Sequence, residues 1–312
     1  MDIFRTPDSR FETLPDWPYA PHYLDSLPGY AGLRVHYVDE GPRDAPVVLC
    51  LHGEPTWAYL YRRMIPVFLG AGYRVVAPDW LGFGRSDKPT DDAVYGFDWH
   101  RNMMLELIDW LALRQITLVV QDWGGLLGLT LPHARPVLFK RLLVMNTTLP
   151  VGEKAGPGFD AWRAYVAANP DLAVGRLMAR SCPHLTPEEA AAYDAPFPDE
   201  KAKAGVRRFP AMVMTDPDME GIDHSRAAIA YLSQEWSGES FMAVGKADPV
   251  LGVPVMAALR QVIRGCPAPL ELPDTGHFVQ EWGEGVAQAA LSHWASVPSS
   301  NGATAPAGKG NA

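Results

Sequence analysis

Between Leu33 and Thr147 short apolar runs alternate with longer stretches in which apolar positions recur at helical spacing, which predicts βα units on a mostly parallel sheet. The predicted strands are Leu33–Asp39, Val47–Leu51, Arg74–Pro78, Thr117–Gln121 and Leu142–Asn146, with helices near Ala58–Leu69, Trp99–Leu111 and Gly124–His133. Each strand runs into a loop rich in Gly, Asp or Pro, and such strand ends are where open α/β sheets carry their sites. From Leu149 to about Asp218 the pattern changes to Ala-rich helical stretches broken by prolines. Strand-like runs return at Ser240–Gly245 and Pro269–Pro273, with helices near Val253–Ile263 and Gly283–Ala295. The expected organisation is one α/β domain, residues 1–148 and 219–297, interrupted by a helical insertion at 149–218 that lies over the strand ends as a cap. Residues 298–312, poor in apolar side chains and rich in Gly, Ala and Ser, are expected to be disordered.

Composition narrows the partners. With 47% hydrophobic and 20% charged residues, 312 residues can bury a sizeable core. A net charge of -9 without any Lys/Arg cluster argues against nucleic acid or an anionic membrane surface and favours a neutral or apolar ligand. Cys50, Cys182 and Cys266 are far apart and lack CxxC spacing, which speaks against a disulfide framework or a zinc site and fits a reducing, cytoplasmic location. The N-terminal MDIFRTPDSRFETLPDW lacks the apolar core of a signal peptide, and no apolar run approaches the roughly 20 residues of a membrane span.

Chemistry enters at LVVQDWGG, residues 118–125. A strand, a tight turn with a polar apex and a helix opening on two glycines form a nucleophile elbow with Asp122 at its corner. A helix cap is the bland reading of a lone Asp in this position. Three further segments favour the elbow. HGEPTW (52–57) follows the strand Val47–Leu51, and an HG turn there leaves backbone N–H groups aimed at the elbow as half of an oxyanion hole. His277, in DTGHF, lies on the loop between the last strand and the last helix. Asp248 follows the penultimate strand, where a triad acid belongs; the alternative acid position after Leu142–Asn146 holds Asn146, which cannot carry the charge. The chain order nucleophile, acid, histidine is that of α/β hydrolases.

Taken together, VVQDWGG, HGEPTW, the loop DWLGFGRSDKP (79–89) and DTGHFVQE resemble the haloalkane dehalogenases, with similarity from about Phe4 to Trp294. The acid after the penultimate strand and the glutamate in the HG turn look like the first subfamily of that family. The resemblance implies an α/β-hydrolase fold with a helical cap, and hydrolysis of a small apolar haloalkane to a primary alcohol, halide and a proton through an alkyl-aspartate ester, without metal or organic cofactor. It assigns Asp122 as nucleophile, His277 as general base and Asp248 as triad acid. Trp123 and the cap tryptophan, here Trp162, hold the halide, and the Glu54 and Trp123 backbone N–H groups form the oxyanion hole. Phe159 is expected to line the pocket, and the chain to be a monomer or a weak homo-oligomer.

The residue types fit that chemistry. An aspartate is ionised at pH 7 and can displace a leaving group from saturated carbon unaided. A halide departs without a proton but needs desolvated donors, and an indole N–H donates only. An epoxide hydrolase would share the nucleophile and base, but it needs acids for the opening alkoxide, commonly tyrosines of the cap; the candidates are Tyr165, Tyr193 and Tyr231. A charged haloacid would call for arginines near the elbow, and the segment after Asp122 has none. Esterases and a non-catalytic binding protein of the same fold are further alternatives; the latter typically lose one of the three catalytic groups, and all three are here. Asp79 reads as a turn residue, and the Glu54 side chain as a brace of its own turn.

Overall fold

The computed structural model describes residues 1–296. The tail at 298–312 lies outside the described residues. Ten strands occur among them: β1 Ile3–Phe4, β2 His22–Leu24, β3 Val35–Glu40, β4 Val47–Leu51, β5 Arg74–Pro78, β6 Lys88–Pro89, β7 Ile116–Gln121, β8 Phe139–Met145, β9 Glu239–Gly245 and β10 Leu270–Leu272. Eight of them form one sheet in the order β10-β9-β8-β7-β4-β5-β3-β2, while β1 and β6 pair separately. From β5 to β10 neighbours are parallel, and β3 and β2 close the edge antiparallel. Every residue of β4, β5 and β7 is buried, as expected of strands covered on both faces.

The sheet order fixes where the site must be. After β4 the chain builds β5 on one side, then returns to lay β7 on the other, so the order reverses beside β4. Ligands bind outside the strand ends at such a switch point. Leu51 pairs with Val120, so the turn after β4 and the turn after β7 leave the sheet side by side.

The helices are α1 Ile65–Gly70, α2 Phe97–Trp110, α3 Trp123–Gly128, α4 Leu131–Ala134, α5 Pro157–Ala168, α6 Val174–Ser181, α7 Pro187–Ala192, α8 Ala204–Met212, α9 Ile222–Gln234, α10 Val253–Val262 and α11 Gly283–Ser296. Two predicted helices are each split. The stretch Ala58–Leu69 is a 3₁₀ turn, Ala58–Tyr61, followed by α1, and Gly124–His133 is α3 followed by α4. Pro66 and Pro132 occupy the first turns of α1 and α4. Proline lacks the N–H a helix interior needs and is favoured in a first turn, and these two prolines each mark the start of a new helix. Between β8 and β9 the elements are all helical. Here α5 packs on α8 and α6 on α7, whereas α9 packs on α4 and α10.

Candidate active site

Asp122 stands at the end of β7 with φ 51° and ψ -129°, a left-handed conformation that costs a non-glycine residue about 1–3 kcal/mol. The surroundings hold it there. Its backbone N–H donates to the Asn146 carbonyl at 2.9 Å, and its carbonyl accepts from Gly125 N–H at 2.8 Å and Thr147 Oγ1 at 2.7 Å. The two elbow glycines are required by close approach: a Cβ on Gly124 would collide with the Leu51 carbonyl, and one on Gly125 with the Thr147 side chain. A Cβ on Gly53 would strike the Asp122 carboxylate itself. The HG turn and the elbow therefore specify glycine from both sides of the same contact.

The turn after β4 supplies one donor to the elbow. The Glu54 N–H reaches Asp122 Oδ1 at 2.8 Å. Trp123 N–H makes no hydrogen bond to that carboxylate among the described residues; as the first residue of α3 it has no intrahelical acceptor either. His52, the other half of the motif, has a structural task that sequence reading missed. Its Nδ1 lies 2.9 Å from the Gly53 carbonyl and its Nε2 3.1 Å from Trp80 N–H, so a neutral ring donates on one side, accepts on the other, and locks the turn to the loop after β5. Asp79 in that loop is far more than a turn residue: fully buried, it joins His36 Nδ1 at 2.7 Å and accepts from the Ala58 and Arg85 N–H groups at 2.8 Å each.

Loops after β9 and β10 bring in the other two groups. His277 Nδ1 lies 2.8 Å from Asp248 Oδ2, and its Nε2 lies 3.5 Å from Asp122 Oδ2. Asp248 is saturated with donors: Oδ1 accepts from Val250 and Leu251 N–H at 2.8 and 3.1 Å, and Oδ2 also accepts from Asn146 Nδ2 at 2.9 Å. Asn146, passed over because it lacks a charge, is thus a clamp. Its amide also ties β8 to β9 through the Gly245 carbonyl and N–H. The His277 carbonyl is held in turn by Gln121 Nε2 at 3.2 Å, from the residue just before the nucleophile.

Electrostatics follow from this geometry. Burial alone would raise the Asp248 carboxyl, but the facing His277 and the hydrogen bonds from His277, Asn146 and Val250 hold it well below the usual carboxylate range. Burial alone would lower His277; the Asp248 charge and the hydrogen bond to Asp122 override it and push the imidazole up to about 10. Glu54 goes the other way: burial first, then repulsion by Asp122, raise its carboxyl well above the usual range, against an opposing contribution from Trp162. Burial and repulsion both disfavour a second charge beside Asp122. Its buried Oε1 has no hydrogen-bond partner, so it does not brace the turn through that atom.

These groups open into a cavity of about 360 Å³ walled mostly by apolar side chains, among them Pro55, Leu126, Leu177, Pro210, Val213 and Phe278. Asp122, Trp123, Asp248, His277, Glu54, Phe159 and Trp162 all border it. Trp123 lies 2% exposed against Phe209, their ring centroids 4.8 Å apart, and Trp162 reaches in from α5. The Trp162 indole N–H faces the Glu54 carboxyl and opposes the rise in its pKa, while the Trp123 indole N–H has no protein partner among the described residues. Of the three tyrosines considered as acids, only Tyr165 borders the cavity; Tyr193 is buried against Arg62 and Glu281, and Tyr231 packs on Trp236. Among the described residues no three His, Cys, Asp or Glu side chains gather as metal ligands. The pieces amount to a carboxylate on a constrained turn, a histidine bridged to a second carboxylate, and two indole donors in a largely apolar chamber.

Comparison with known proteins agrees with this picture. The α/β hydrolase fold family matches residues 46–284. The haloalkane dehalogenase of Psychrobacter cryohalolentis is 45% identical over 296 residues, covering 92% of this chain and 96% of that protein. That of Mycobacterium marinum is 42% identical, covering 90% and 95%. Among solved structures, the tetrameric haloalkane dehalogenase DpaA of Paraglaciecola agarilytica superposes with a TM-score of 0.93 at 50% identity, over 95% of this chain and all of that one. DbeA of Bradyrhizobium elkani, also a haloalkane dehalogenase, gives 0.75 at 26% identity, over 88% of this chain and 97% of that one.

Proposed function

Because the chain belongs to the α/β-hydrolase fold family and, within it, to the haloalkane dehalogenases, we propose that it cleaves carbon–halogen bonds with Asp122 as nucleophile, in two steps. The overall reaction is hydrolytic: haloalkane and water give an alcohol, halide and a proton. In the first step the Asp122 carboxylate attacks the halogen-bearing carbon in line, the carbon–halogen bond breaks, and the halide leaves with its electron pair toward the Trp123 and Trp162 indole N–H groups. In the second, His277 takes a proton from water, and the hydroxide adds to the ester carbonyl while the Glu54 and Trp123 backbone N–H groups hold the oxyanion. Collapse of that intermediate releases the alcohol and restores Asp122.

The observation that carries this reading is His277 lying between two carboxylates. In the free enzyme both favour its protonated form. Alkylation neutralises Asp122, which removes one of them, so the imidazole gives up its proton more easily once an ester is there to be hydrolysed. Asp248 then fixes the tautomer and supports the cation that forms when water is deprotonated. An epoxide reading needs acids for an alkoxide, and two of its three candidate tyrosines lie elsewhere.

The helical segment 149–218 acts as a cap in this account, bringing Trp162 and Phe159 over the elbow and excluding water from the first step. Glutamate in the HG turn and the acid after β9 support membership of the first subfamily. The tetrameric relative supports assembly of this chain into a homo-oligomer, closer to the upper end of the monomer-to-weak-oligomer expectation. Three free, buried cysteines support a cytoplasmic location, and no described helix is long and apolar enough to cross a membrane.

His277→Ala tests the two steps. The variant should release about one equivalent of halide per site, retain the alkyl group as a mass increment on the protein, and then stop. Normal turnover would remove His277 from the base role.

A further inference from the structure

A second cavity of about 370 Å³ adjoins the first, and the two share Tyr165, Leu177 and Arg180 in their walls. None of Asp122, Trp123, Asp248 and His277 borders the second cavity, and Tyr165 and Arg180 are exposed, which puts the shared residues at the solvent end of the pocket. Arg180 is the one arginine or lysine bordering the catalytic cavity among the described residues. Arg176 borders the outer cavity, four residues earlier on α6, and at that spacing the two side chains share a helix face.

Charge at this mouth is unbalanced. Among the described residues neither arginine pairs with a carboxylate. Asp171, the one acid in the outer wall, is bound to Lys203 Nζ at 2.5 Å. Arg180 instead stands over the Tyr165 ring, 6.0 Å from its centroid. Two uncompensated guanidinium groups therefore face the entrance of a chain whose net charge is -9. An apolar haloalkane makes no use of them, whereas a planar carboxylate matches their donor geometry.

We propose that Arg180, assisted by Arg176, binds the terminal carboxylate of substrates whose opposite end carries the halogen, so that ω-haloalkanoates long enough to reach from Asp122 to the mouth are substrates of this protein. The inference rests on the dehalogenase reading and deepens it. The position of the arginines decides which haloacids qualify. A 2-haloacid would put its carboxylate beside that of Asp122, with no arginine there to offset the repulsion. An ω-haloacid keeps a methylene chain in the apolar chamber between the two charges.

The test compares 6-bromohexanoate with 6-bromohexan-1-ol, of equal chain length and neutral, by bromide release. In the unaltered protein both should turn over, and the carboxylate's kcat/KM should fall as salt is raised while the alcohol's holds. R180Q should cut kcat/KM for the carboxylate about fivefold and R176Q/R180Q further, each changing the alcohol by less than about twofold; R180K, which keeps the charge without the paired donor geometry, should fall between the unaltered protein and R180Q. An unchanged carboxylate-to-alcohol ratio in the double variant overturns the proposal, as does turnover of the alcohol alone by the unaltered protein. Bromide release from neither compound would instead overturn the dehalogenase reading beneath it.

Discussion

Replacing Asp248 with asparagine should separate the two chemical steps. Asp248 Oδ2 lies 2.8 Å from His277 Nδ1, and the remaining donors to its carboxylate come from Asn146, Val250 and Leu251. With charge centres about 4 Å apart and an effective dielectric near 20, losing the negative charge removes about 4 kcal/mol of support for the imidazolium formed when water is deprotonated. Expressed fully in the hydrolytic transition state, that slows the second step by about three orders of magnitude. The geometry adds to the loss. A carboxamide has one acceptor oxygen, so it cannot serve the Val250 and Leu251 N–H groups on one side and His277 and Asn146 on the other. Alkylation should change far less, within about tenfold, because Asp248 does not touch Asp122. Rapid-quench measurement with 1-bromobutane should show a burst of one bromide per site, a steady rate about a thousandfold lower than that of the unaltered protein, and a butyl increment in the intact mass. Equal slowing of bromide and butanol release with no burst would refute the assignment of Asp248 to hydrolysis.

Two other outcomes follow from the same geometry. Trp123→Phe and Trp162→Phe should each weaken bromide binding about 10- to 100-fold, as expected for losing one hydrogen bond to an anion in a desolvated site, measurable by calorimetric titration; unchanged affinity in Trp162→Phe would remove it from the halide clamp. The raised His277 has a stability consequence with a definite sign. A group whose folded pKa is higher than its unfolded value, about 6.5, stabilises fully below that value and progressively less as pH rises to about 10. Urea unfolding at pH 6, 8 and 10 should show the advantage of the unaltered protein over His277→Gln shrinking across that window, and an advantage that grows with pH would contradict the two-carboxylate environment.

The parallel core and the loops that carry Asp122, Asp248 and His277 were legible because each is written locally. Fully apolar runs mark β4, β5 and β7, and Asp122, Asp248 and His277 sit at strand ends where a short motif sets both residue and position. The strands β1, β2 and β6 are two or three residues long, too short for any period to show, and depend on partners distant in sequence. Both split helices contain the proline that divides them, so Pro66 and Pro132 held information that apolar spacing alone overrode. Asn146 was read by the charge it lacks, when its value lies in holding Asp248 from the neighbouring strand end. Arg180 and Leu177 reach the cavity only through the packing of the inserted helices, which leaves no local pattern.

The central claim is a covalent ester at Asp122, and a single turnover in heavy-oxygen water with enzyme in excess over 1-bromobutane tests it most directly. Hydrolysis at the ester carbonyl should leave heavy oxygen in the Asp122 carboxylate, found by mass spectrometry in the peptide carrying that residue. Label confined to the butanol would mean that water attacks the substrate carbon itself, and the ester mechanism would be wrong.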